Sequence, residues 1–377
     1  MLLLDILQNV SEYTNFVTRI YLTRINKESH DHIQIYDLYN IPKKYIKKMT
    51  QDIIVQKKYS FLKKLNLNNN NKIICIDHLA DSLIELNCGG NSLNNDKILT
   101  LKKLKHLKMV SNHKITNINH LSESLITLNC SYSSLSQEGI HNLKNIKKLN
   151  VNYNYLINNV NHLKYSLLEL ICSRSSIDQA GISELTALKN LDAEYNPYII
   201  SVNHLQNLKI LKSVYVRQCG IKNLKLLQIL SVSNNSEINN VNHLNETLWE
   251  LDCSENCGID QIGINGLTNL KKLIMDGNTK INNLSKLSNT LSELCCNYTE
   301  IDQEAINKLK YIKRLDIIGN HKIKNLEHFF NVLEELNCSA IYNNYGSDIP
   351  ILGLNKKKIR GKALYEDDYY INLNNYF

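Results

Sequence analysis

The sequence predicts an α/β fold: a curved solenoid with a parallel sheet on its concave face, preceded by a small helical region. Three observations predict this fold. Apolar residues return every 21 residues over most of the chain, which is typical of repeat architectures. Each return contains a short alternation of apolar and polar residues, the period of a half-buried strand. Apolar residues three or four apart follow it, as in a helical or single-turn segment.

Composition excludes several other classes. The 377 residues are 43% hydrophobic, which is enough for a large core, and the net charge of +8 is spread without a block of like charges. We therefore expect no nucleic-acid partner. No apolar run reaches the length of a membrane span, and the opening MLLLDILQNV lacks a basic flank. We expect an intracellular protein, no membrane partner, and ten cysteines that stay reduced.

Fourteen repeats follow the pattern L-x-x-L-x-(apolar)-x-x-N between residues 62 and 341. The steps are 21 residues, apart from single steps of 22, 23 and 16. Nine repeats carry Asn at the ninth position, where an amide can satisfy backbone groups at the end of a strand. The first apolar residues of the repeats are Leu62, Leu83, Leu104, Leu125, Ile146, Leu167, Leu188, Leu211, Leu227, Leu248, Leu270, Leu291, Ile312 and Leu333.

This pattern resembles the leucine-rich repeat, whose signature is L-x-x-L-x-L-x-x-(N/C)-x-L. The overall resemblance is to leucine-rich repeat proteins of amoebae and their giant viruses, which implies a host cytoplasm as the location. A second period of 42 residues overlies the first, because two types of repeat alternate. Odd repeats read as in IKKLNVNYNYLINNVNHL from Ile146, and even repeats as in LLELICSRSSIDQAGISEL from Leu167.

Two columns of the alignment hold residues that often bind metals. Cysteines fill the sixth position of the even repeats, where odd repeats have apolar residues, so we interpret them as core fillers. Histidines recur in the odd repeats. Members of either column are about 10 Å apart, too far for a disulfide or a shared metal. We therefore expect structural roles and no metal or cofactor, although the histidines can titrate near neutral pH.

The third position should project from the concave face, and its charge alternates between the two repeat types. Opposite charges then become cross-strand neighbours, which either set the register and solubility or bind a partner. Lysines at the second position form a basic rim. The third-position residues are Lys64, Glu85, Lys148, Glu169, Glu250, Lys272, Glu293, Arg314 and Glu335.

The two-repeat rhythm fails between residues 205 and 227. Tyr215, Arg217 and Gln218 should face or border the concave surface there, and Tyr and Arg dominate many interfaces, so this is the first candidate contact site. Sequence drift with a local bend is the alternative. Four tyrosines at the eighth position extend the candidate site: Tyr132, Tyr153, Tyr195 and Tyr298.

Residues 1–61 lack the repeat and predict short helices. The segment LLLDILQNVSEYTNFVTRIYLTRINKESHD resembles an F-box, through its first helix and the L-x-x-x-N-K-x-x-H portion that ends it, although the leading Leu-Pro is missing. The resemblance implies that residues 1–45 dock on a Skp adaptor of a cullin ubiquitin ligase. A helical cap on the first repeat is the alternative. The implied contacts are Leu4, Ile6, Leu7, Val10 and Leu22.

The sequence therefore predicts three regions: a helical cap over 1–61, repeats over 62–341, and a C-terminal cap and tail over 342–377. No phosphate loop, nucleophile elbow or HExxH motif is present, so we expect no enzyme. The leading hypothesis is a non-catalytic scaffold that binds an unknown protein on its concave face. The alternative is an F-box-type substrate receptor of a cullin ubiquitin ligase.

Overall fold

A computed structural model describes residues 2–14, 16–329, 332–339 and 359–362. The chain divides into an N-terminal half, residues 1–188, and a C-terminal half, residues 189–377. The predicted cap and tail over 342–377 lie outside the described residues, apart from 359–362. In the part of the chain that is described, none of the helices has the length and apolar character needed to cross a bilayer.

The N-terminal half opens with the predicted short helices. Asn26 caps α3, because its Oδ1 accepts a hydrogen bond from the Ser29 N–H at 2.7 Å. A two-residue strand, β1, then pairs in parallel with the first repeat, so the helical region also supplies a strand that the sequence did not predict. These elements are α1 (Leu2–Tyr13), α2 (Phe16–Leu22), α3 (Lys27–His32), β1 (Asp37–Leu38), α4 (Lys43–Ile46) and α5 (Gln51–Ile54).

Six three-residue strands of the repeats follow in the N-terminal half, each paired in parallel with its neighbours in chain order. Their central leucines, at the fourth position, are at most 2% exposed and stack into the core. Most return segments are single 3-10 turns. The elements are β2 (Lys64–Asn66), β3 (Glu85–Asn87), α6 (Asn95–Ile98), β4 (His106–Lys108), β5 (Thr127–Asn129), β6 (Lys148–Asn150) and β7 (Glu169–Ile171).

The C-terminal half repeats this arrangement. Its strands again pair in parallel and in chain order. The elements are β8 (Asn190–Asp192), β9 (Ile210–Lys212), β10 (Ile229–Ser231), β11 (Glu250–Asp252), α7 (Gln261–Ile264), β12 (Lys272–Ile274), β13 (Glu293–Cys295), α8 (Gln303–Asn307), β14 (Arg314–Asp316), β15 (Glu335–Ser339) and β16 (Ile359–Lys362). The chain is thus an α/β leucine-rich repeat solenoid with a helical N-terminal region, as predicted.

One repeat starts elsewhere than the sequence alignment predicted. Leu211 pairs with Leu191 and Leu230, which both occupy the fourth position. This repeat therefore begins at Leu208, and the start at Leu211 is wrong by three residues. The irregular steps of 23 and 16 become 20 and 19. Three evenly spaced leucines, Leu205, Leu208 and Leu211, misled the alignment, because all three are fully buried.

The residue at the eighth position, just after the strand, adopts a left-handed backbone conformation in most repeats. Twelve described residues at the eighth position have a positive φ, between 48° and 71°, whereas the repeat beginning at Leu208 has none. The buried Asn that follows bonds the turn. The Nδ2 of Asn154 donates to the Leu135 carbonyl at 3.0 Å, and its Oδ1 accepts from the Leu156 N–H at 2.9 Å. A buried amide with its bonds satisfied holds this turn together.

Side chains on the return segments clamp adjacent repeats in alternation. Between an even repeat and the next odd one, the Gln137 Nε2 donates to the Asn159 carbonyl at 2.9 Å, while its Oε1 accepts from two backbone N–H groups. The His120 Nε2 donates back to the Ile98 carbonyl at 2.9 Å. Between an odd repeat and the next even one, the Asn161 Nδ2 donates to the Ala180 carbonyl at 2.8 Å. The histidine column is therefore structural.

The cysteine column lies in the core. Burial raises the pKa of the Cys88 and Cys130 thiols to about 12 and also raises the pKa of Cys253. A thiol that resists ionisation is a poor nucleophile and a poor metal ligand. Among the described residues, no group of three or more His, Cys, Asp or Glu side chains is arranged to hold a metal ion.

Candidate interaction surface

The surface predicted to be concave carries the third, fifth and seventh positions of each repeat, and is here called the open face. Alternate residues of a strand point to opposite sides, so most of these positions lie outside while the fourth and sixth are buried. Exceptions include Asn87, Ser131 and Ser254, which are at most 7% exposed. No described element covers the open face in either half. Its side chains are therefore available to a ligand.

In the N-terminal half, the predicted charge pairs flank a centre in which the described residues form no ion pair. The Lys64 Nζ lies 3.1 Å from Glu85, and the Lys148 Nζ lies 2.8 Å from Glu169. Between these pairs, at the third position of the two central repeats, the His106 Nδ1 is 2.9 Å from the Thr127 hydroxyl. The charge alternation is thus interrupted in the middle of this face.

A shallow pocket of about 280 Å³ occupies this centre. Its lining is mostly polar and includes Lys108, Asn129 and Asn150 at the fifth position. Tyr39 reaches its edge from the segment after β1, and burial together with the neighbouring Glu85 raises the pKa of that tyrosine. Sequence reasoning missed Tyr39, because it lies outside the repeats and no periodic signal marks it.

The open face of the C-terminal half is acidic. Its ion pairs follow the predicted ladder: Lys272 lies 2.9 Å from Glu250, and Arg314 bridges Glu293 at 3.4 Å and Glu335 at 3.6 Å. Carboxylates nevertheless outnumber cations by eight to three at the third, fifth and seventh positions, compared with two to three in the N-terminal half. These carboxylates are Asp192, Glu194, Glu250, Asp252, Asp276, Glu293, Asp316 and Glu335.

Two of these carboxyl groups have a raised pKa. Burial, followed by the nearby Asp192 carboxylate, raises the pKa of Glu194. Burial also raises the pKa of Asp276, and Asp316 and Asp252 raise it further. Burial is the largest cause for both carboxyls, and the neighbouring carboxylates add to it.

The eighth-position tyrosines line the edge where the strands end, and the rings of Tyr132, Tyr153 and Tyr298 contact the following repeat. The rings of Tyr132 and Tyr153 stack with centroids 4.2 Å apart and planes 16° apart, and the Arg174 guanidinium lies 5.6 Å from the Tyr153 ring. Farther along, the ring of Tyr298 covers Gly319, where a Cβ would clash with it. Tyr132, Tyr195 and Tyr298 are 46–60% exposed, so polar and aromatic edges remain accessible.

The three residues of the irregular region, Tyr215, Arg217 and Gln218, do not share one surface in the structure. Tyr215 is 40% exposed beyond the end of β9, and Arg217 is exposed. Gln218 instead lies on the return segment, where its Nε2 donates to the Asn240 carbonyl at 2.8 Å and its Oε1 accepts from two backbone N–H groups. The placement predicted for Gln218 is wrong, because this glutamine belongs to the clamp column of Gln137.

The N-terminal helices expose apolar side chains. Ile6 is 50% and Val10 is 44% exposed, whereas Leu4, Leu7 and Leu22 are half-buried. A cleft of about 530 Å³ lies between α2, α4 and α5. Further exposed apolar residues on or beside α2 are Val17, Tyr21 and Ile25.

Comparison with known proteins supports the fold. No protein-family model matches the sequence, and no curated protein matches it. The internalin InlF of Listeria monocytogenes is similar in structure, with a TM-score of 0.57 and 22% identity over 75% of this chain and 87% of that chain. A leucine-rich repeat protein of Leptospira interrogans has a TM-score of 0.52 and 20% identity over 86% and 93%.

TLR13 in complex with a single-stranded RNA has a TM-score of 0.54 and 18% identity, over 84% of this chain and 56% of that chain. All three identities are below 25%, so these likenesses concern architecture alone. Together with the register of the strands and the buried leucine columns, they show that this chain has the leucine-rich repeat fold.

Proposed function

We propose that the chain is a non-catalytic scaffold that binds a protein partner on its open face. The observation that carries this proposal is an uncovered parallel sheet whose outward positions hold accessible polar, charged and aromatic side chains in both halves. Extended surfaces of this kind are what repeat proteins use for binding. The contact residues proposed are the third-position charges, the eighth-position tyrosines, Tyr215 and Arg217.

The distribution of reactive groups supports a scaffold over an enzyme. The histidines and cysteines recur as structural columns, and the charged residues form cross-strand pairs instead of converging on one deep pocket. Catalytic sites usually combine a pocket with a nucleophile, a base and a stabilising group in mutual contact. The described residues of the open face lack such a constellation.

Steric blocking of the open face tests this function. Partners would be captured from host cells with the full chain, identified by mass spectrometry and then bound as purified proteins. The double variant Thr127→Arg and Asn129→Arg should abolish binding of a partner that covers the centre of the N-terminal half. Ser231→Arg should abolish binding of a partner that covers the C-terminal half. Glu138→Arg introduces the same side chain on the exposed return segment and should change nothing. Equal binding by all variants would refute the proposal.

An F-box-type receptor is the second candidate function. The exposed Ile6 and Val10 favour it, because a helical cap alone would bury such side chains against the first repeat. This candidate places the chain in a host cytoplasm, consistent with the resemblance to proteins of amoebae and their giant viruses. Residues 1–45 would then bind the adaptor, while the open face recruits the substrate.

Direct binding to a purified Skp adaptor separates the two candidates. The full chain should bind the adaptor, and Ile6→Asp with Val10→Asp should lose that binding. Ile74→Asp is the matched control, since Ile74 is 57% exposed and lies outside residues 1–45. If the unmodified chain does not bind the adaptor, the receptor function is excluded and the helices are a cap.

A further inference from the structure

A mixed apolar and basic row runs along the edge where the strands of the N-terminal half begin. The second position alternates strictly between a lysine and an aliphatic residue over six consecutive repeats. Backbone bonds hold these residues side by side: the Lys105 N–H donates to the Ile84 carbonyl, and the Ile126 N–H to the Lys105 carbonyl, both at 2.8 Å. The row is Lys63, Ile84, Lys105, Ile126, Lys147 and Leu168.

The part of this row from Ile84 to Leu168 lines a groove of about 840 Å³, here called the edge groove. Ile84, Ile126 and Leu168 are only half-buried there, and the ring of Tyr165 on its wall is 88% exposed. Exposed apolar groups that share a groove are typical of binding sites rather than of ordinary surface.

The charges of the edge groove are mostly uncompensated. Lys103 pairs with Asp81, and Glu123 on the groove wall already pairs with Lys144. Within the described part of the chain, Lys102, Lys105 and Lys147 have no carboxylate within ion-pair distance. The groove therefore offers free cations at intervals between its apolar sites, and an acidic ligand complements it.

We propose that the edge groove binds an acidic amphipathic helix of a protein partner. Neighbouring parallel strands are about 4.8 Å apart, and a helix rises about 1.5 Å per residue, so a helix along the row meets one position of the row about every 3.2 residues. Apolar side chains of the helix at i and i+6 or i+7 contact Ile84 and Ile126, while acidic side chains at i+3 and i+10 contact Lys105 and Lys147.

Other ligands fit less well. An extended peptide presents side chains on one face about every 6.6 Å, which does not match the spacing of the row. Single-stranded nucleic acid binds through stacking on aromatic rings, whereas three of the four apolar groups here are aliphatic. A lipid surface needs protruding apolar side chains, whereas the aliphatic side chains of this row are half-buried in a groove.

The C-terminal half supplies an internal control. Its second positions also carry lysines, including Lys271, but Lys209, Trp249 and Ser292 stand in the even repeats, where the N-terminal half has aliphatic residues. The same charges are thus present without the apolar alternation. Substitution of lysines in the C-terminal half therefore tests whether the ligand binds through nonspecific charge attraction.

The experiment uses the full chain and fluorescence anisotropy with a labelled helical peptide of about 22 residues. The peptide carries Leu and Glu in turn, three or four residues apart along one face, with Ala and Gln elsewhere. A second peptide has the same composition with the stripe scrambled. We expect the first peptide to bind at least about tenfold more tightly than the second, with affinity falling as salt rises from about 50 to about 500 mM.

Variants then locate the site. Lys105→Glu with Lys147→Glu should weaken binding at least about tenfold, whereas Lys209→Glu with Lys271→Glu should leave it within about twofold. Equal binding of both peptides, or equal loss in both variants, would overturn the proposal, as would tighter binding of a single-stranded oligonucleotide or of anionic vesicles. These lysines lie off the open face, so a failure here leaves the proposed function of the open face intact, and the Thr127 and Asn129 variants test that function separately.

Discussion

The two halves share one backbone plan but present different open faces. Buried leucines, the left-handed eighth position and the asparagine turns recur in both. The N-terminal half places a polar pocket that contains Lys108 between two ion pairs, while the C-terminal half concentrates carboxylates, two of which have a raised pKa. Inward positions therefore determine the fold, and outward positions vary without cost to it. Experiments that treat the halves separately can sharpen or break this contrast.

The largest effect should come from the shared core. Leu149→Ala in the N-terminal half and Leu273→Ala in the C-terminal half remove side chains that are at most 1% exposed, and each should cost about 3 kcal/mol of unfolding free energy. Because stability in a repeat array depends mainly on neighbours, the loss should be greatest in the half that carries the change. Hydrogen exchange measured by mass spectrometry checks this. Equal loosening of both halves by either variant would contradict it.

Ion pairs on the two open faces should differ in strength. Lys272 and Glu250 have side chains that are 30% and 19% exposed, compared with 63% and 27% for Lys148 and Glu169. Lys272→Met should therefore cost about 1 kcal/mol, because it leaves Glu250 poorly solvated, whereas Lys148→Met should cost about 0.5 kcal/mol or less. Urea unfolding of both variants at low and high salt measures this order. A larger loss for Lys148→Met would reverse the contrast.

The stacked tyrosines should be coupled only where two rings meet. A double-mutant cycle with Tyr132→Ala and Tyr153→Ala should give a coupling energy of about 0.5 kcal/mol, from the stacking of their rings. The matched cycle in the C-terminal half combines Tyr298→Ala with Lys286→Ala, a residue on the return segment, and should give no coupling. Thermal unfolding of the single and double variants provides the numbers.

Acidification should affect the stability of the two halves in opposite directions. Burial lowers the pKa of His120 below 6.5, so the unfolded chain takes up protons first and the N-terminal half loses stability as pH falls below about 6.5. Glu194 and Asp276 have raised pKa values, so the folded C-terminal half takes up protons first and gains stability as pH falls toward their ordinary values of 4.5 and 3.8.

Hydrogen exchange at pH 7, pH 5.5 and pH 4.5, corrected for the intrinsic rate, tests this opposition. His120→Gln should flatten the response of the N-terminal half, and Asp276→Asn that of the C-terminal half. If acidification destabilises both halves, the carboxylates do not determine how the stability of the C-terminal half depends on pH.

Periodicity predicts the core better than it predicts the surface. The leucine, cysteine and histidine columns and the cross-strand charges follow from spacing alone, since a period of 21 residues repeats the same environment. Gln218 was misplaced because one shortened repeat hid its column. Neither Tyr39 nor β1 belongs to a repeat, so no pattern marks them. The edge groove is formed by residues of the repeats on either side of Ile126, and the linear sequence does not show that these residues are neighbours.

The alternation of the clamps limits how such a chain can grow by gene duplication. Gln137 and His120 act across one kind of boundary and Asn161 across the other, so the heritable module is a pair of repeats. Loss of a single repeat by recombination would bring two like charges of the open face together and leave one boundary without its amide. Gain or loss of whole pairs preserves both, so related chains should differ in length by multiples of 42 residues.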